Sequence, residues 1–172
     1  MNWKKLLLPG GIFGFFASFL LAVTAFGLWW DRYGRPPEQP IAFPHSIHAG
    51  KLSMSCLFCH DTADKSPLAG APPLERCAGC HRSIAADRPG VKKLLSHLEE
   101  KRPLHWVRVH ELPDFVYFSH RPHVLAGLDC AACHGDLSAM ERVRQVRPLS
   151  MGWCVSCHRA NDASMDCATC HK

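Results

Sequence analysis

The ten Cys residues of this 172-residue chain fall into five pairs: Cys56/Cys59, Cys77/Cys80, Cys130/Cys133, Cys154/Cys157 and Cys167/Cys170. Each pair is spaced C-x-x-C, and each second Cys is followed by a His: His60, His81, His134, His158 and His171. No Cys is left over. With 12 His in 172 positions, five accidental matches would arise roughly once in a million sequences, so spacing carries the signal. C-x-x-C-H is the attachment motif of c-type haem: each thiol adds across a haem vinyl group, and the adjacent imidazole is placed to ligate the iron. Zinc sites would use two C-x-x-C units per metal, and five units leave an orphan. A thioredoxin-like motif does not recur five times without a βαβ pattern. Disulfides account for an even number of Cys but not for the five His. The motifs predict five covalently bound haem c groups, and a fold built around them.

Leu6 to Trp30 carries no charged residue. As a helix this stretch would be about 37 Å long, against about 30 Å of bilayer hydrocarbon, so it predicts a membrane-spanning anchor. Trp29 and Trp30 stand where an interfacial aromatic belt belongs. The competing reading is a cleaved signal peptide, for which Val23-Thr24-Ala25 is a passable site. The stretch is long for a signal sequence, which favours the anchor. Lys4 and Lys5 precede the span and Arg32 and Arg35 follow it, so the charge rule ties. The attachment motifs break the tie, because c-type haem is attached outside the cytoplasmic membrane. The expected topology is a single pass with the N-terminus inside and the haem domain on the outer, periplasmic face. Gly14, Ser18 and Ala22 recur every four residues, a spacing that admits a partner helix.

The chain divides by composition into an anchor (1–30), a Pro-rich linker (31–40) and a haem domain (41–172). Within that domain F-x-H-x-x-H occurs twice, at Phe43-Pro44-His45-Ser46-Ile47-His48 and at Phe118-Ser119-His120-Arg121-Pro122-His123. Each copy precedes an attachment motif by six or seven residues. This internal repeat marks a two-haem module (41–90) and a three-haem module (118–172), joined by a connector (91–117). The stretch 91–102 predicts a helix with Val91, Leu94, Leu95 and Leu98 on one face and Pro103 as its stop. Short helices are expected around each C-x-x-C-H, with irregular loops elsewhere and little regular sheet. The expected fold class is therefore mostly α and irregular, with one transmembrane helix and a haem-packed domain. A compact chain of the outer domain's length has a radius of gyration of about 14–15 Å, so five evenly spread haems would lie roughly 17–18 Å apart, centre to centre.

Five irons need distal ligands, and seven His remain after the proximal five. His45, His48, His120 and His123, from the two repeats, are the first candidates. His110 is the candidate for the fifth position, with Met151 and Met140 as thioether alternatives. A thioether would raise the potential of its haem relative to a bis-His site. His97 reads as half-buried on the 91–102 helix, and His105 as surface. Because His and Met candidates outnumber the irons, no open iron is forced, which favours electron transfer over catalysis at haem. The formal charge of +5 excludes a polybasic nucleic-acid binder. It also falls to about zero once the propionates and the ferric macrocycles are counted. Arg82 and Arg159, directly after His81 and His158, are candidate propionate partners.

The run Trp106-Val107-Arg108-Val109-His110-Glu111-Leu112-Pro113-Asp114-Phe115-Val116-Tyr117-Phe118-Ser119-His120 is distinctive, as are Cys130-Ala131-Ala132-Cys133-His134-Gly135 and Pro148-Leu149-Ser150-Met151-Gly152-Trp153-Cys154. Together with the repeat, they resemble the membrane-anchored pentahaem cytochrome c subunit of alternative complex III, within the class III multihaem group. The resemblance runs over nearly the whole chain. It implies a subunit of a multisubunit, menaquinol-oxidising complex in a respiratory or photosynthetic chain. The implied donor is an iron–sulfur subunit. The implied acceptor is a monohaem cytochrome, a copper protein or a high-potential iron–sulfur protein. Quinol oxidation would belong to partner subunits, so the chain is not expected to be catalytic alone. The alternative is a self-contained quinol dehydrogenase resembling the single-helix anchors of periplasmic nitrite or nitrate reductases. A haem-based sensor would need an open iron and a signalling domain, and no signalling domain is visible.

Overall fold

The computed structural model describes residues 4–172, with side chains described from Gly10 onward except those of 30–34. The chain forms two compact units that divide between Arg35 and Pro36. The first is a single helix, α1 (Lys4–Gly34). It runs four residues past Trp30, into the stretch read from sequence as linker. Its uninterrupted apolar portion, Gly10–Trp29, has 20 residues, about 30 Å of helix and enough to cross the hydrocarbon. The hydroxyls within it are satisfied internally: Ser18 Oγ donates to the Gly14 carbonyl at 2.8 Å and Thr24 Oγ1 to that of Leu20 at 2.8 Å. Such back-bonding is what a polar side chain needs in lipid, where water is missing. The side chains of Lys4, Lys5, Trp30 and Arg32 lie outside the described residues.

The second unit is helical and irregular, and among the described residues it contains no strand. Each attachment motif begins, ends or runs through a short helix: α2 (Cys56–Cys59), α3 (Leu74–His81), α6 (Cys130–His134), α7 (Met151–Ala160) and α8 (Cys167–Cys170). Three of these start on a side-chain cap. Asp129 accepts from Ala131 N, Ser150 from Trp153 N and Asp166 from Ala168 N. The caps satisfy backbone donors left without partners at the first turn of each helix. α4 (Pro89–Glu99) starts on Pro89, buries Leu94 and half-buries Val91, Leu95 and Leu98. It ends earlier than the sequence suggests, because Lys101 takes a positive φ of 52°. α5 (His120–Leu125) carries the second repeat. The first repeat runs into a π-helical turn over Ser46–Lys51, which packs against a 3₁₀ turn over Leu137–Ala139.

Polypeptide packing alone gives this unit a small core: Ile41, Ala63, Ala78 and Leu94 are its buried apolar residues among those described. The loops are tied instead by long-range polar bonds. Gln39 clamps Val107 through both its amide atoms, at 2.8 and 2.9 Å. Lys93 Nζ donates to the Pro40 carbonyl at 2.8 Å. Tyr117 N donates to the Cys170 carbonyl at 2.8 Å. These bonds tie the connector's stretch 104–117, which has no helix or strand of its own, to the linker at Gln39 and to the three-haem module at Cys170.

Candidate haem-binding site

None of the ten motif cysteines is bonded to another in a disulfide, and none is fully buried. Each pair is therefore available for two thioether bonds to one macrocycle.

The imidazoles share a second feature. Nδ1 of His60 lies 2.6 Å from the Gly70 carbonyl, that of His81 3.0 Å from Ile84, that of His158 2.6 Å from Ser164 and that of His171 3.1 Å from Phe115. In the repeats, Nδ1 of His48 lies 3.2 Å from the Pro44 carbonyl, that of His120 2.9 Å from Pro67 and that of His123 2.7 Å from Ser119. A carbonyl can only accept, so Nδ1 carries the proton and Nε2 keeps its lone pair for a metal.

Three pairs of these rings face each other. His48 and His81 have centroids 6.0 Å apart, His120 and His134 6.2 Å, and His123 and His158 6.0 Å. Two imidazoles bound to opposite sides of one metal at about 2.0–2.1 Å have centroids roughly 6.3 Å apart. The pairing follows the repeat. In the second copy, His120 faces the first motif that follows it and His123 the next. In the first copy His48 faces the second motif, and no ring contact between His45 and a motif imidazole is among those described.

The repeat is reproduced in geometry as well as in sequence. Phe43 meets His45 edge-on at 4.9 Å and 86°, and Phe118 meets His120 at 4.9 Å and 85°. The same rings lie over His48 at 4.4 Å and His123 at 4.6 Å. Each Phe therefore holds both imidazoles of its repeat. The sequence displayed these phenylalanines as part of the pattern but offered no role for them.

His45 and His110 depart from the Nδ1 rule. Nδ1 of His45 and Nε2 of His110 are buried without a hydrogen-bond partner. Such an orphan costs about 1–3 kcal/mol unless a partner is supplied; for His110 it is Nε2, the nitrogen the other imidazoles keep for a metal, and a metal bond would supply the partner, whereas for His45 it is Nδ1. Burial, and then His60 and His48, hold the His45 pKa down to about 4. Burial, and then His110, His120 and His60, do the same for His134, also to about 4. Burial and His120 lower His110. The neutral form that results is the one that ligates metal.

His110 lies edge-on to His134 at 4.4 Å, closer than a shared metal permits. The ring beside His171 is that of Phe115, at 5.8 Å. Met140 sits near motif three, with its methyl 3.3 Å from where a Cβ on Gly135 would stand. Met151 is exposed on the first turn of α7. His97 shares the Nδ1 pattern, 3.3 Å from the Pro103 carbonyl, whereas His105 is exposed. Arg82 and Arg159 are exposed beside their motifs. Arg76, which the sequence did not single out, bonds the Phe58 carbonyl at 2.5 Å and the Asp61 carboxylate at 2.6 Å, tying α3 to α2. That ion pair holds Asp61 below the ordinary carboxylate range.

Paired cysteines outside any disulfide, imidazoles opposed at metal-bridging distance and the buried orphan Nε2 of His110 all fit covalent haem c. The comparisons agree. Residues 116–172 match the family described as cytochrome c7 and related cytochrome c. Over 95% of its length the chain is 26% identical to the "Menaquinone reductase, multiheme cytochrome c subunit" of Nitratidesulfovibrio vulgaris (strain Hildenborough), covering 91% of that protein. The second unit is a multihaem cytochrome c domain, and α1 is an apolar helix that fits a membrane anchor.

Proposed function

We propose that this chain is the pentahaem electron-transfer subunit of a membrane-bound, menaquinol-linked oxidoreductase of the alternative complex III type. The observation that carries the reading is the opposition of repeat and motif imidazoles across metal-bridging distances, in a unit whose chain begins with a spanning helix. Bound haem supplies reversible one-electron chemistry. The polypeptide supplies two thioether bonds per group, a proximal His at 60, 81, 134, 158 and 171, and distal ligands at His45, His48, His120 and His123. His110 is the fifth distal candidate, with Met151 and Met140 as thioether alternatives, and His60 and His171 are the two proximal residues with no imidazole opposite them among the described ring contacts. Backbone carbonyls fix the tautomers of these imidazoles, and the repeat phenylalanines hold the rings of their own repeat. The haem domain faces the outer side of the membrane, where haem is attached. An iron–sulfur subunit delivers electrons, and a monohaem cytochrome, copper protein or high-potential iron–sulfur protein accepts them.

The relative's name favours a second reading, in which the complex runs toward menaquinone reduction. Purification of the chain from native membranes in mild detergent decides among these. Copurification of an iron–sulfur subunit, with menaquinol oxidation by the complex and none by the isolated chain, is the expected result. Net menaquinone reduction by the complex with its native donor selects the second reading. Recovery of the chain alone, itself oxidising menaquinol, would replace both with a self-contained dehydrogenase.

A further inference from the structure

Numbering along the chain does not match neighbourhood in space. A cleft of about 310 Å³ is lined by Cys56 of the first motif together with Cys130, Ala131 and Gly135 around the third, although the two motifs are far apart in sequence. The π-helical turn and the 3₁₀ turn close this cleft: Ser46 N donates to the Met140 carbonyl at 3.0 Å and Ser46 Oγ to Glu141 at 2.5 Å. A second cleft, of about 340 Å³, is lined by Cys133 of the third motif, Cys157 of the fourth, and Arg147 and Trp153 between them. The first and second motifs are joined by Arg76, adjacent to Cys77, which bonds the Phe58 carbonyl beside Cys59 and the Asp61 carboxylate after His60. The fourth and fifth are joined through Ser164, whose carbonyl faces His158 and whose hydroxyl lies 2.9 Å from Thr169 inside the fifth motif.

We propose that the attachment motifs stand in space in the order second, first, third, fourth, fifth. The second motif (Cys77, Cys80, His81) and the fifth (Cys167, Cys170, His171) are then the two ends of the relay. The first motif, although earliest in the chain, is interior and joins the two modules. A redox partner therefore docks at the 74–88 end or at the 162–172 end, and not against the first motif. The proposal rests on the haem reading above and deepens it by assigning the termini.

Iron-edge anomalous diffraction from the haem-loaded full chain in its complex tests it. The expected map places the iron at His60 between those at His81 and His134, and gives the irons at His81 and His171 one close neighbour each. An iron at His81 whose nearest neighbour is any but that at His60, or an iron at His60 found at an end, would overturn the order. A map with no iron at these histidines would instead remove the haem reading itself, so the two failures are distinguishable.

Discussion

Gly50 sits in the π-helical turn where it meets the 3₁₀ turn, and a Cβ there would fall onto the backbone carbonyl oxygen of Ser138. A flexible side chain could swing aside, but a carbonyl cannot. The turn that holds it is itself pinned, with Ser138 N donating to Asp136 at 3.1 Å and Ser46 N to Met140 at 3.0 Å. Gly50→Ala must therefore separate the two turns. Overpacking of this kind costs about 1–3 kcal/mol, and losing the Ser46–Met140 bond adds about 0.5–1.5 kcal/mol. The total of about 2–4 kcal/mol corresponds to a fall in Tm of roughly 6–16 °C for a unit of this size. The assay is thermal unfolding of the haem-loaded protein by circular dichroism, in one detergent throughout. Gly152→Ala is the control: it lies inside α7 with nothing within 4 Å of the added methyl, and should be neutral or stabilising by up to about 1 kcal/mol. If Gly50→Ala melts with the wild type, the turns do not make the close contact described, and the bridge between the first and third motifs is misread.

Other outcomes follow from the ligand geometry. His48→Met should raise the potential of the haem at His81 alone, since thioether ligation favours the reduced state, and a redox titration should show one component moved upward. Phe118→Leu should broaden the low-spin electron paramagnetic resonance signals of the two haems served by His120 and His123, while Phe43→Leu affects those served by His45 and His48; a uniform change would contradict the pairing.

Much of the site was legible because its chemistry is written at fixed spacing. C-x-x-C-H names the attachment residues without any fold, and F-x-H-x-x-H names His45, His48, His120 and His123 as a set. Which of these faces which motif was not legible, because the partners His48 and His81, or His123 and His158, are joined only through folded loops. The role of Arg76 and the carbonyls of Pro67 and Gly70 were hidden for the same reason: a backbone acceptor has no sequence signature. The α4 helix was expected over 91–102 and lies over 89–99, shifted because Pro89 is favoured at a first helical position and Lys101 turns left-handed. The helix α1 continues to Gly34 where the sequence suggested linker, since Asp31, Arg32 and Tyr33 do not oppose helix and the first proline pair comes later, at Pro36-Pro37. His97 was set aside as an ordinary half-buried residue, yet its Nδ1 is held by a carbonyl like those of the motif histidines.

Every C-x-x-C-H in this chain should carry a haem. Intact-mass spectrometry of the purified polypeptide, with a pyridine haemochrome assay on the same sample, measures it. Five covalent haems per chain are expected, with no free thiol or disulfide among the ten cysteines. Four or fewer haems in fully matured protein, with the remaining cysteines as free thiols or in disulfides, would contradict it.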